Sequence, residues 1–135
     1  MRCMIIDDNI SFLHALRSML ERDGVSVVSA ALNGSDGLDR AFSSRPDVLL
    51  IDVRLGSENG FEVAQRMKER AAVTPGWRPV IILLSTHTEY ELADRMALNP
   101  SFGFLAKNTV STARVKEMIS RLNGHVVEVD GPSSR

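Results

Sequence analysis

Short apolar runs alternate along this chain with longer segments in which apolar residues recur every three or four positions. Met4 to Ile6, Val25 to Val28, Val48 to Ile51, Val80 to Leu84 and Phe102 to Ala106 have the length and β-branched content of strands. The runs "VLLI" and "VIILL" contain no polar alternation. Such strands need apolar cover on both faces, which a parallel sheet between two helical layers provides.

The intervening segments carry helical periods. Leu13, Leu16 and Leu20 share one face of the first, widened by Phe12 and Met19, and Gly24 stands just beyond its end as a C′ residue. The second is shorter, Ser35 to Phe42, and runs into the "SSRPD" loop. Phe61, Ala64 and Met67 mark the third, and Tyr90, Ala93 and Ala97 the fourth. Val115, Met118, Ile119 and Leu122 mark the fifth, with Ser111 as N-cap and Gly124 as stop. Five strand–helix units in succession predict an α/β fold of flavodoxin-like (βα)5 type, an open parallel sheet of strand order 2-1-3-4-5 with helices on both faces. The "AAVTPGWRP" segment is a loop whose Trp77 is expected to cover the core. Residues 124–135 form a tail rich in turn formers at its end, expected to be partly disordered.

Composition narrows the function classes. With 135 residues, 44% of them hydrophobic, the chain suits one domain that needs no disulfide or structural metal, and the lone Cys3 fits a small core residue. Lys and Arg number 16 against 17 Asp and Glu, so the basic field required for direct nucleic-acid binding is absent. The N-terminal "MRCMII" runs straight into two aspartates, unlike a secretory signal, and no apolar run approaches the roughly 20 residues that span a bilayer. A cytoplasmic location without membrane attachment is expected.

In such a sheet ligands bind beyond the carboxyl ends of the strands. Asp7 and Asp8 follow the first strand, Asp52 ends the third, Ser85 and Thr86 follow the fourth, and Lys107 follows the fifth. Three carboxylates brought together repel one another unless a cation compensates them. Mg²⁺ suits this set because it binds through one or two carboxylates together with a phosphate and keeps several waters. A lysine and a hydroxyl at the same edge would neutralise oxygens that gain charge in phosphoryl transfer.

These residues carry a resemblance. "IIDDN", "PDVLLIDVRLGSENGFE", "VIILLST" and "GFLAK", in this order and on these elements, resemble the receiver domain of two-component response regulators over about the first 122 residues. The last two runs lean toward receivers that precede LuxR-type output domains. The resemblance implies a receiver domain over residues 1–123. Asp52 would be the phosphoacceptor, served by a histidine kinase or phosphotransfer protein. Asp8 would ligate Mg²⁺ directly, Asp7 through water, and Arg54 by its backbone carbonyl. Ser85 and Lys107 would each pair with a phosphoryl oxygen. Phe104 falls at the aromatic switch position, so phosphorylation would reshape the face made by the fourth helix, fifth strand and fifth helix. Arg54 and His87 occupy the two variable positions that tune dephosphorylation, and a bulky Arg54 suggests slowed water access.

The pattern departs from the family in three places. Gly56 stands where Pro is common, which is expected to loosen the turn after Asp52. Asn108 replaces a frequent Pro, as in some receivers with LuxR-type outputs, and Phe104 lacks a hydroxyl. Ordinary readings exist for single residues: Asp7 and Asp8 could open the first helix, with Asp8 or Asn9 as its cap, and Ser85 could be a turn residue. His14 and His125 have no ligand partner at useful spacing. A phosphate-independent pseudo-receiver binding module stays open. So does a Mg²⁺-dependent phosphohydrolase, although that class wants a carboxylate where Arg54 stands. The chain would signal through a downstream partner or a separate output domain. A homodimer joined by Asp94, Arg114 and Lys116 is open beside simple solvation of these charges.

Overall fold

The two-sided cover that the apolar runs demand is what the chain builds. The computed structural model describes residues 1–86 and 101–130. In chain order the elements are β1 (Arg2–Ile6), α1 (Ile10–Arg22), β2 (Ser26–Ala31), α2 (Gly34–Ser44), β3 (Val48–Asp52), β4 (Arg54–Leu55), β5 (Glu58–Asn59), α3 (Gly60–Ala72), β6 (Val80–Ser85), β7 (Gly103–Ala106) and α4 (Thr112–Asp130). The helical pattern at Tyr90, Ala93 and Ala97 lies outside the described residues, so the helix predicted as fifth is α4 here.

Five strands form one sheet in the order β2-β1-β3-β6-β7, with every described pairing parallel. Counting only these strands, this is the predicted 2-1-3-4-5 order. Side chains alternate across each strand and so feed two cores. Met4, Ile6, Leu49, Ile51 and Leu83 pack toward α2 and α3, against Ala41, Val63, Ala64, Met67 and Trp77. Cys3, Ile5, Leu50, Ile82 and Leu84 pack toward α1 and α4, against Leu13, Leu16, Leu20, Val115 and Met118. All five residues of β3 are buried, which explains its unbroken apolar spelling. Burial also pushes the Cys3 thiol up to about 11, in keeping with an inert core residue.

The helix ends follow local chemistry. The Asn9 side chain accepts the Phe12 N–H at 3.0 Å and caps α1, which leaves Asp8 free of that task. At the other end Gly24 adopts φ +87 and donates to the Glu21 carbonyl, while the Val25 N–H reaches Leu20, a Schellman closure. Ser111 caps α4 through the Arg114 N–H at 3.1 Å. Trp77 is buried, and its indole N–H donates to the Pro46 carbonyl at 2.9 Å, so it covers the core as expected.

Two expectations need correction. Gly124 does not stop the last helix, because α4 runs through it to Asp130. One interior glycine costs only about 1 kcal/mol relative to alanine, and without a left-handed cap it does not end a helix. α2 extends beyond Phe42 to Ser44, where Arg45 turns into the left-handed region. The antiparallel β4–β5 ladder has no signature in the sequence, since two residues per strand are too few to show a period.

Candidate functional site

Strand direction brings the predicted residues to one edge. Asp7 follows β1, Asp52 ends β3, Ser85 ends β6 and Lys107 follows β7. The Lys107 N–H donates to the Ser85 carbonyl at 2.8 Å, which ties the last two together. Carboxylate oxygens of Asp7, Asp8 and Asp52 lie within 4.8 Å of one another, the one such acidic group among the described residues.

Each carboxylate is held differently. Asp7 is fully buried; its Oδ1 accepts the Asn9 N–H at 2.8 Å, and its Oδ2 lies 2.7 Å from Lys107 Nζ. Asp52 is buried too, with Oδ1 accepting the Arg54 N–H at 3.1 Å and Oδ2 standing 3.3 Å from Lys107 Nζ. Burial pushes the Asp52 carboxyl above its ordinary value, against the pull of the Arg54 N–H bond. The charge of Asp7 raises it further, while Lys107 lowers it. Asp8 is exposed, and its Oδ2 accepts the Gly56 N–H at 2.9 Å.

That last bond corrects the reading of Gly56. Its φ of +62 suits glycine, and its N–H ties the turn after β3 to Asp8. Proline could supply neither the angle nor the donor. In this chain the departure holds the turn instead of loosening it.

Two contributors are not apparent from the sequence. Gly60 opens α3 with its N–H on the Val53 carbonyl at 2.9 Å. A Cβ there would overlap the carbonyl oxygen of Asp52 and stand 2.7 Å from Val53 Cα, so α3 can start beside Asp52 only at a glycine. Phe12 is the other. Its ring centroid lies 4.2 Å from Lys107 Nζ, which places the ammonium between a π-face and two carboxylates. The Asn59-Gly60 pair is a turn signal that points to the first; spacing alone cannot show the second, because Phe12 reads as a core-facing residue of α1.

Ser85 is fully buried, and Phe104 is buried with its ring centroid 5.6 Å from that of Phe61. His87 and Asp94 lie outside the described residues. No helix among the described residues is long and apolar enough to cross a membrane.

Residues 3–120 match the response regulator receiver domain. The chain belongs to that family. Receiver domains are signalling domains of two-component systems. The receiver is 34% identical over 88 residues to the protein PilH of Pseudomonas aeruginosa, an alignment covering 65% of this chain and 70% of PilH. It is 22% identical over 125 residues to EvgA of Escherichia coli, a DNA-binding transcriptional activator, covering 93% of this chain and 59% of EvgA. Among solved structures, the receiver domain of a NarL response regulator from Mycobacterium tuberculosis superposes with a TM-score of 0.73 at 26% identity. That match covers 91% of this chain and 96% of the NarL domain. The receiver spans about half the length of some curated relatives, 49% in one case.

Proposed function

We propose that the receiver accepts a phosphoryl group on Asp52 from a histidine kinase or phosphotransfer protein, in a Mg²⁺-dependent reaction in the cytoplasm. The observation behind this reading is the placement of Lys107 Nζ at 3.3 Å from Asp52 Oδ2, at the edge where the oxygens of three aspartates converge within 4.8 Å. Asp7, Asp8, Asp52 and the Arg54 carbonyl would hold the ion, and an acidic, oxygen-only donor set with one exposed member fits a hard dication. When bound, Mg²⁺ supplies positive charge against the phosphoryl oxygens.

An Asp52 carboxylate oxygen attacks phosphorus. The new O–P bond forms as the N–P bond of phosphohistidine breaks, and the imidazole leaves with the electron pair. The acyl phosphate carries more negative charge than the carboxylate it replaces, so Lys107 and the bound cation would have to compensate the added charge. Lys107 follows the new phosphoryl oxygens, and the Ser85 hydroxyl donates to one of them. Movement at the end of β6 then reaches Phe104 and alters affinity for an output domain or partner. Arg54 and His87 control water access to the acyl phosphate.

Incubation with acetyl phosphate and Mg²⁺ followed by Phos-tag electrophoresis tests this reading. A retarded band is expected from the wild type and from neither Asp52→Asn nor wild type in EDTA. An unshifted wild type, or a shift that survives Asp52→Asn, would overturn it. Titration of Mg²⁺ with and without beryllofluoride separates a pseudo-receiver, for which the two ligands would bind without coupling.

A further inference from the structure

The edge of the sheet opposite Asp52 carries a second concentration of charge. There Arg2 opens β1, Arg45 precedes β3, and Arg70 and Arg78 flank the connection from α3 to β6. Arg45 and Arg70 both face the Phe42 ring, with guanidinium carbons 5.7 Å and 5.4 Å from its centroid. Phe42 is nevertheless 42% exposed, and Val73, three residues beyond Arg70, is 78% exposed. Two guanidinium groups thus share an apolar ring that still meets solvent.

These cations are not neutralised within the domain. Among the described residues, Arg45, Arg70 and Arg78 form no ion pair. Arg2 spends its guanidinium on the carbonyls of Ser44 and Arg45, at 2.7 Å and 2.9 Å, closing the end of α2. Two acids, Asp23 before β2 and Asp47 before β3, stand at the same edge, and Asp47 accepts the Arg2 backbone N–H at 3.0 Å. Glu69, beside Arg70 on α3, is held by the Gln65 amide. Arg45 and Arg78 line a hollow of about 340 Å³ together with Pro46, Asp47, Gly76 and Trp77. A second hollow of about 410 Å³, with Lys68 and Phe102 on its wall, opens on the other side of Trp77.

The backbone at Arg45 is informative as well. At φ 46 and ψ 66 it is the one non-glycine residue in the left-handed region among the described residues, and it precedes proline. Both circumstances disfavour a residue with a side chain, by about 1 kcal/mol or more, where glycine would close the helix without strain. The position keeps a long cation at a cost in stability.

We propose that this edge docks an acidic segment of a partner protein, with an apolar side chain laid on Phe42 and carboxylates paired to Arg45, Arg70 and Arg78. A carboxylate entering this hollow would face Arg45 and Arg78 across from Asp47, whose own carboxylate is held on the Arg2 N–H. A protein segment fits better than a nucleic acid: three cations beside Asp47 are few for a phosphate ladder, while the exposed apolar groups need an apolar counterpart. The five residues of β3 separate this edge from Asp52 by about 17 Å, so docking here does not require the phosphoryl site.

Fluorescence anisotropy of the full chain with a fluorescein-labelled nonapeptide, glutamate-rich with a central phenylalanine, tests the proposal. Binding is expected to weaken steeply as sodium chloride rises from about 50 to about 300 mM. Affinity should fall about tenfold in the double variant Arg45→Glu, Arg70→Glu, and measurably in Phe42→Ser, while Asp52→Asn should bind as the wild type does. Circular dichroism checks that the double variant folds; Arg78→Glu, which removes no internal bond, should weaken binding on its own. Absence of peptide binding, equal binding by the charge-reversed variants, or equally tight binding of a single-stranded oligonucleotide would overturn the proposal. None of these outcomes bears on phosphorylation of Asp52.

Discussion

Replacing Gly60 with alanine should destabilise the receiver, although the same change in most helices is favourable. The added methyl would overlap the Asp52 carbonyl oxygen and stand 2.7 Å from Val53 Cα and 2.8 Å from the Asp52 carbonyl carbon, where 3.4 Å is ordinary contact. All three atoms are backbone, so no rotamer change relieves the overlap. α3 must retreat from β3, and the 2.9 Å bond from Gly60 N–H to the Val53 carbonyl is lost with it. Overpacking costs about 1–3 kcal/mol and the hydrogen bond about 1 kcal/mol, against about 1 kcal/mol of helix propensity gained. The net loss is about 1–3 kcal/mol. With an m-value of about 1–3 kcal/mol per molar urea, a loss of about 2 kcal/mol lowers the unfolding midpoint by roughly 1 M. Labelling by acetyl phosphate should also slow, because the retreat moves the carbonyl of Asp52, the proposed acceptor. A midpoint equal to or above that of the wild type would refute the close approach of α3 to Asp52.

Other expectations follow from the same geometry. Phe12→Leu removes the π-face under Lys107, an interaction of about 2 kcal/mol at most when desolvated, so acetyl phosphate labelling should slow by a few-fold and not beyond about 30-fold; Phe12→Tyr should restore it, and equal rates for all three would dismiss the ring's role. Because burial holds the Asp52 carboxyl above its ordinary 3.8, the folded chain binds this proton more tightly than the unfolded one, and ionisation costs stability as pH rises through the folded value. In EDTA, Asp52→Asn should therefore resist urea better than the wild type at pH 7, with the advantage fading toward pH 3.8; an advantage independent of pH would contradict this. Trp77→Phe keeps the apolar cover but orphans the Pro46 carbonyl, and thermal melts should show a loss of about 1–2 kcal/mol.

The sheet is legible in the sequence because its central strands are buried on both faces, and five short apolar runs separated by helical periods leave few alternatives. The candidate site is legible for a related reason: parallel strands deliver all their C-terminal residues to one edge, so Asp7, Asp52, Ser85 and Lys107 converge once the order is known. What spacing does not show depends on backbone and ring geometry. Gly56 reads as a loosened turn until its N–H is seen on Asp8, and Phe12 reads as apolar filling until Lys107 is seen over its face. The end of α4 lies beyond Gly124 because a glycine ends a helix only when its backbone turns left-handed, which composition does not encode.

The 2.7 Å contact between Asp7 and Lys107 gives the resting domain an internal competitor. Tethered within the fold, the Asp7 carboxylate occupies the ammonium at an effective concentration that no free phosphodonor approaches. Under the proposed phosphorylation, a phosphoryl group on Asp52 would not find a vacant cation; it would have to win one from the Asp7 carboxylate, with its own higher charge as the advantage. On that proposal the strength of the Asp7 contact would set a threshold, below which weakly charged or poorly placed acyl groups would leave the lysine where it is.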